Sequence, residues 1–344
     1  MNEIVQLIEE SATRLFEGFS TSKGHKLMES GQFVDKIWSA FQADGWLTTL
    51  LPEEEGGSGL GLEGGCVLMR LAGYHAVPLP VVESLLGTFL AAQVGIKNHE
   101  ELLIPVILPK AIDDASEITL AGVPWARHAN SLLLIFPADN GVNTAVISCQ
   151  DAEITADQNM AGEPRDNVLI EVNKLANTQV LKNISLDQIE SWLALGRAAQ
   201  MAGALQRVLE MTVEFANERT QFGRQIGKFQ AVQQQMAVLA EMTSASMCAV
   251  DAAIEHLGTE QEWELIASAK ITTGESAGYA TKTAHAVHAA IGFTQEYPLQ
   301  LSTRRLWAWR DEYGNEAQWS TKLGRYCFGL QTDNLWSWLT TQTG

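Results

Sequence analysis

The sequence predicts a mainly helical chain with a β-rich middle. Three observations carry this. Residues 1 to 102 place apolar side chains at helical spacing. Residues 103–182 break into short β-prone runs separated by turn residues. From residue 183 onward, long stretches rich in Ala and Leu restore the helical period.

In the first stretch, Ile4, Leu7 and Ile8 open one amphipathic stripe, and Phe33, Ile37 and Phe41 open another. The segment "LPEEEGGSGLGLEGG" interrupts them with a glycine-rich loop. A further helical stretch is broken at Pro78 and Pro80. The middle reads as strands at "LLIPVIL", "EITLAG", "NSLLLIF", "NTAVIS", "NVLIEV" and "TQVL", forming a small antiparallel sheet or barrel. Beyond it, Ser185 and Gln188 suit an N-terminal capping box for a long helix. Three more helical stretches follow, ending in "LSTRRLWAWRDEYGNEAQWSTKLGRYCFGLQ". This divides the 344 residues into an N-terminal helical domain (1–102), a β domain (103–182) and a C-terminal helical bundle (183–344).

Hydrophobic residues make up 46% of the chain and charged residues 19%, enough for a sizeable core. The formal charge of −18 argues against a nucleic-acid partner. Cys66, Cys149, Cys248 and Cys327 stand far apart, in no CxxC or Cys/His cluster, so a cytoplasmic chain is expected. The N-terminus does not read as a signal peptide, and no run approaches the ~20 apolar residues of a membrane helix.

Several motifs have a bland explanation. Gly59, Gly61 and Gly64 fit GxGxxG, but "LPEEE" before them is no buried strand and would repel phosphate. His25, His75, His99, His128 and His256 are scattered. His285 and His288 share a helix face without a nearby carboxylate or cysteine, and His288 reads as a packed helix-end residue. The Met and aromatic stripe of residues 229–247 reads as core. "RRLWAWR" reads as a salt-bridged helix surface rather than a nucleic-acid site.

"RTQFGRQIGKFQ" is different. Arg219, Arg224 and Lys228 fall within ten residues of an acidic chain, with no carboxylate between Glu218 and Glu241. Gly223 permits a tight turn, and a helix starts behind it, whose exposed amides favour an anion. Arg219 offers a planar fork to phosphate, and Gln221 and Gln230 offer uncharged hydrogen bonds. The alternative is an ordinary basic helix junction.

This segment resembles the acyl-CoA dehydrogenase family of flavoproteins, whose pattern stands here as Arg219, Phe222-Gly223, Ile226 and Phe229-Gln230. "GWLTTLLPEEEGGSGLGLEGG" and "IGFTQEYPLQLSTRR", with Gly292, Glu296, Tyr297, Pro298 and Arg304 in register, are also similar to family segments. The resemblance implies a mainly α chain: an N-terminal helical domain, a small antiparallel β-barrel and a C-terminal four-helix bundle. It implies FAD, an acyl-CoA substrate and an oligomer. It also implies oxidation of the Cα–Cβ bond, in which a glutamate removes the α-proton and the flavin takes the β-hydride. Arg219, Gln221, Phe222, Gly223, Gln230 and Gly314 become FAD contacts, with Arg219 and Gln230 serving the FAD of a neighbouring subunit.

The sequence departs from the family at three places. The commonest base position, counted without gaps from Gly292, holds Tyr313 before Gly314. A tyrosine with a pKa near ~10 is a poor base at neutral pH. Glu312 and Glu316 flank it, and Glu190 lies near a second family location for the base. The Gln-x-x-Gly-Gly run is "AVHAAIG", with Ala286, Ala289 and Ala290 replacing the glutamine and the glycines. No Thr-Glu-Pro…Gly-Ser-Asp run is present, and "LAGVPWARHANS" occupies its place. Three readings follow: a working dehydrogenase with a relocated base, a non-catalytic subunit completing a partner dehydrogenase's FAD site (a homo- or hetero-oligomer), or a flavin-free scaffold.

Overall fold

The computed structural model describes residues 2–19, 22–97, 101–112, 116–138 and 141–329. His99 and the last two residues of the final helical stretch lie outside them. Five helices come first: α1 (Asn2–Phe19), α2 (Ser22–Glu29), α3 (Asp35–Ala43), α4 (Gly61–Tyr74) and α5 (Val81–Gln93). The glycine-rich segment is a loop only as far as Leu60, since Gly61, Gly64 and Gly65 lie in the first turns of α4, and Pro80 sits immediately before α5. Ile8 and Phe16 of α1 share one core with Ile37 and Phe41 of α3, whereas Leu7 of the first stripe is exposed.

The middle region holds β1 (Leu103–Ile107), β2 (Glu117–Pro124), β3 (Ser131–Ala138), β4 (Gly141–Ser148), β5 (Glu153–Thr155), β6 (Arg165–Glu171) and β7 (Ala176–Leu181). They form two sheets, in the order β1-β3-β4-β7 and β2-β6-β5. This corrects the expected mainly α chain with an antiparallel barrel and a four-helix bundle. The fold is a mixed one: helical regions at both ends and, between them, two open sheets. A barrel needs its edge strands joined by hydrogen bonds, and among the described residues no strand of one sheet pairs with a strand of the other. Nor is the first sheet wholly antiparallel. β1 pairs with β3 in parallel, from Leu103↔Ser131 to Ile107↔Ile135, because the chain crosses through β2 of the other sheet between them. β3 lies inside its sheet, and Leu132 to Ile135 are wholly buried, which explains its unbroken apolar run.

The C-terminal region comprises α6 (Leu186–Glu218), a two-stranded hairpin of β8 (Thr220–Gln221) and β9 (Arg224–Gln225), α7 (Gln230–Glu255), α8 (Glu262–His288), α9 (Leu299–Asp311) and α10 (Glu316–Gly329). Ser185 Oγ accepts the Gln188 N–H at 3.1 Å and starts α6. α4 crosses α6 at two glycines: a Cβ on Gly73 would meet the Gln200 carbonyl at 1.8 Å, and one on Gly203 the Arg70 carbonyl at 1.9 Å. That contact sets α6 against the N-terminal helices. α7 is long and apolar enough to cross a membrane, unlike what the sequence reading expected, but it packs against α6 and α8 as one wall of the helical region.

Candidate functional site

The turn between α9 and α10 is built by local rules. Glu312 is extended and ends α9. Tyr313 and Gly314 follow at φ +55° and +92°. Asn315 and Gln318 then cap α10 reciprocally: Asn315 Oδ1 accepts the Gln318 N–H, and Gln318 Oε1 accepts the Asn315 N–H, each at 3.0 Å. Gly314 cannot carry a side chain, since a Cβ there would lie 2.7 Å from Trp319 Nε1. That indole instead donates to the Tyr313 carbonyl at 2.9 Å.

Behind this turn lies a buried ionic cluster that sequence reasoning missed. Arg197 on α6 is 2% exposed and places Nη2 2.5 Å from Glu83 of α5 and 2.8 Å from Glu312. Arg165 of β6 meets Glu312 at 2.5 Å and Glu163 at 3.3 Å. Arg305 of α9 lies 3.2 Å from Glu163, which also accepts from Trp309 Nε1 at 2.9 Å. Tyr313 donates its hydroxyl to Glu83 at 2.9 Å, and its ring lies 5.4 Å from the Arg197 guanidinium. Burial alone would raise the Glu163 pKa, but Arg305, Arg165 and Arg197 together hold it below the ordinary value. Burial, reinforced by Glu83, pushes the Tyr313 phenol well above its ordinary range, so it stays protonated.

The carboxylates considered as bases are therefore occupied. Glu312 lies between Arg197 and Arg165. Glu316 is held by Arg310, whose Nε donates at 2.9 Å. Glu190 pairs with Lys322 at 2.6 Å. A cavity of about 350 Å³ lies in front of Tyr313, lined by β1, β2, Leu193 of α6 and the Tyr313 side chain. None of the three carboxylates lines it.

The Arg219 segment lies apart from this cluster. Arg219 closes α6, and the hairpin turns at Phe222 and Gly223, both with positive φ (+52° and +79°), as a two-residue hairpin requires. Arg219, Gln221, Phe222, Gly223 and Gln230 are all exposed, and Phe222 is 91% exposed. Arg224 sits over Phe229, 4.2 Å from the ring centroid, and Phe229 meets Phe222 edge to face. Among the described residues no ion pair involves Arg219, Arg224 or Lys228. These groups fit the phosphate-bearing half of a dinucleotide: a free guanidinium, two amides, an aromatic face and the N-terminus of α7. Gly314 is not among them and lies with Tyr313. On α6, Leu193 and Arg219 are 26 residues apart, roughly 39 Å at 1.5 Å per residue.

Other sequence readings find their places. His288 ends α8, buried, with Nδ1 at the Ala284 carbonyl (2.8 Å) and Nε2 at the Tyr297 hydroxyl (3.2 Å). The arginines of "RRLWAWR" are in ion pairs: Arg304 with Glu29, Arg305 with Glu163 and Arg310 with Glu316.

Helical regions around a double-sheet middle, with a cationic hairpin inside the C-terminal helices, define a known class of chain. Residues 187–311 match the family model "Acyl-CoA dehydrogenase, C-terminal domain". The chain is 29% identical over 277 residues to acyl-CoA dehydrogenase IpdE2 of Mycobacterium tuberculosis, covering 79% of this chain and 80% of that one. It is 27% identical over 311 residues to IpdE2 of Mycolicibacterium smegmatis, covering 89% and 93%. Its fold is similar to that of a Tcur3481-Tcur3483 steroid ACAD variant, with TM-score 0.85, 21% identity and coverage of 96% and 99%. It is also similar to a chain of the ChsE4-ChsE5 complex from Mycobacterium tuberculosis, with TM-score 0.84, 18% identity and coverage of 96% and 99%. Residues 187–311 thus carry the C-terminal domain of the acyl-CoA dehydrogenase family, and over most of its length the chain is similar to members of that superfamily.

Proposed function

We propose that this chain is a non-catalytic subunit of a flavin-dependent acyl-CoA dehydrogenase and completes the FAD site of a partner chain of the same superfamily. One observation carries the reading: Glu312, Glu316 and Glu190 are each ion-paired, and Tyr313 is held protonated where the family resemblance places the base. None of these three carboxylates is left free to remove an α-proton. The chemistry such an assembly draws from FAD is acceptance of the β-hydride in the α,β-oxidation of an acyl-CoA thioester.

This chain's contribution is binding and orientation. Arg219 pairs with the pyrophosphate, Gln221 and Gln230 hydrogen-bond to it, and the Phe222-Gly223 turn brings backbone close. The roughly 39 Å along α6 between Leu193 and Arg219 exceeds a stretched dinucleotide, so a cofactor held by the hairpin reaches a partner's cavity. The four cysteines are free thiols, which suits a cytoplasmic assembly.

A second reading, a dehydrogenase with its own FAD, is favoured by the cavity in front of Tyr313. One experiment separates the two. The chain is purified alone and after co-expression with a partner dehydrogenase chain, and visible spectra are recorded. The expected result is colourless protein alone, a yellow complex, and loss of flavin from the complex on Arg219→Ala. Protein that is yellow alone and bleached by an acyl-CoA would overturn the proposal, as would full flavin occupancy in the Arg219→Ala complex.

A further inference from the structure

A second cavity lies apart from both sites, where α1, the end of α4, α6 and the start of α9 meet. Its volume is about 270 Å³, and Glu17, His75, Arg207, Met211, Leu301 and Ser302 are in its lining. Among the described residues no ion pair involves Arg207, although the chain carries 41 acidic side chains. Its guanidinium lies over the Tyr74 ring, 5.6 Å from the centroid. The nearest acid on its own helix face, Glu210, is engaged by the Tyr74 hydroxyl at 2.5 Å and by Gln206 at 3.0 Å. Ser302 is 3% exposed, and its hydroxyl makes no hydrogen bond among the described residues although it borders the cavity. Its oxygen opens onto the cavity, where a bound group can donate to it or accept from it.

We propose that this cavity binds a small organic monocarboxylate, a short-chain acid of a few carbons. The carboxylate pairs with Arg207 and accepts from Ser302, while the alkyl chain lies against Met211 and Leu301. Burial holds His75 below its ordinary pKa. Of the two charges that reach it, Glu17 opposes and Arg207 reinforces this, so the ring adds no second cation at neutral pH. One cation thus faces the ligand, and Glu17, also in the lining, disfavours a second negative charge on it.

The test titrates the intact chain with sodium butyrate by calorimetry and by line broadening of the butyrate resonances. Saturable one-site binding is expected, with no competition from n-butanol or inorganic phosphate. Arg207→Gln should weaken binding at least about tenfold. Ser302→Leu, which fills the cavity from α9 without removing the cation, should abolish it, and circular dichroism checks that each variant is folded. Absence of saturation, phosphate binding equal to butyrate, or retained affinity in either folded variant would overturn the proposal.

Discussion

Tyr313 donates its phenolic hydrogen to Glu83, 230 residues away in the chain, at 2.9 Å. The pair joins the α9–α10 turn to an N-terminal helix, and Arg197 joins both to α6. The tyrosine therefore has a structural role of its own, since it donates to a carboxylate that is 1% exposed. Restoring the residue type of the family base should fail. Tyr313→Glu brings a third carboxylate against Glu83 and Glu312, where burial and like charge oppose ionisation. The expected outcome is a loss of about 3 kcal/mol or more in urea unfolding, with no acyl-CoA turnover gained by the purified chain.

Arg197 holds the cluster together, and its removal should be the most damaging single change in it. Glu312 keeps Arg165 when Arg197 is gone, whereas Glu83 loses its only ion-pair partner among the described residues. Arg197→Met is expected to cost about 3–5 kcal/mol. Adding Glu83→Gln removes the stranded charge and keeps an acceptor for Tyr313, so the double variant should recover at least half of that loss. A double-mutant cycle in urea measures the coupling. Additive losses would show that Glu83 and Arg197 do not act as a pair.

The cluster also marks where sequence reading stops. Most strands were legible, because "NSLLLIF" and "NTAVIS" carry their own β signal and fall at β3 and β4. Their pairing was not: the parallel β1–β3 contact depends on the path through β2, which no local run encodes. β5 is too short, at three residues, to give a periodic signal. The hairpin at Arg219 was legible because its cations, glycine and aromatics are consecutive. Glu83, Arg165, Arg197 and Glu312 come from four distant segments. One signal was available, since Glu83 in "PLPVVESLLG" and Arg197 in "WLALGRAAQMAGAL" are lone charges in apolar helical stretches. A lone charge inside an apolar helix face requires a buried partner.

Ala289 provides a test of a departure read from the sequence. It stands where the family resemblance places a glycine, and its backbone keeps a glycine-like conformation, φ +53° and ψ −140°. An L-residue there stores about 1–3 kcal/mol of strain. Reverting to glycine costs about 0.4–1 kcal/mol through the unfolded chain. The strain outweighs that cost, so Ala289→Gly should stabilise the protein by about 1 kcal/mol and raise its thermal midpoint by about 1–3 °C. A fall in the midpoint would show that the methyl group is accommodated by packing.

His25 should make the protein sensitive to acid. Burial, then the Arg305 guanidinium, lowers its pKa from 6.5 to about 3, with Glu163 opposing. Between these values the unfolded chain binds a proton that the folded chain does not, so stability falls as pH drops from 6.5 towards 3. His25→Gln removes that difference while keeping an acceptor towards Arg305, whose Nη2 lies 3.4 Å from His25 Nδ1. Unfolding free energies compared from pH 7 to pH 4 should show a shallower decline in the variant. Equal slopes would mean that His25 does not titrate on unfolding.

Phe222 offers a way to separate the needs of the chain from those of a partner. It is 91% exposed and sits at φ +52°, a conformation that favours glycine, asparagine and aspartate. Among the described residues its ring contact is the edge-to-face one with Phe229. Phe222→Asn relieves the turn and should leave the thermal midpoint of the isolated chain unchanged or slightly higher. If the hairpin serves a neighbouring flavin site, the same variant should lower flavin retention and co-purification with a partner dehydrogenase chain by about tenfold, the loss of roughly 1.4 kcal/mol of aromatic contact. A variant that melts earlier yet still carries its partner's flavin would place the role of Phe222 inside the chain.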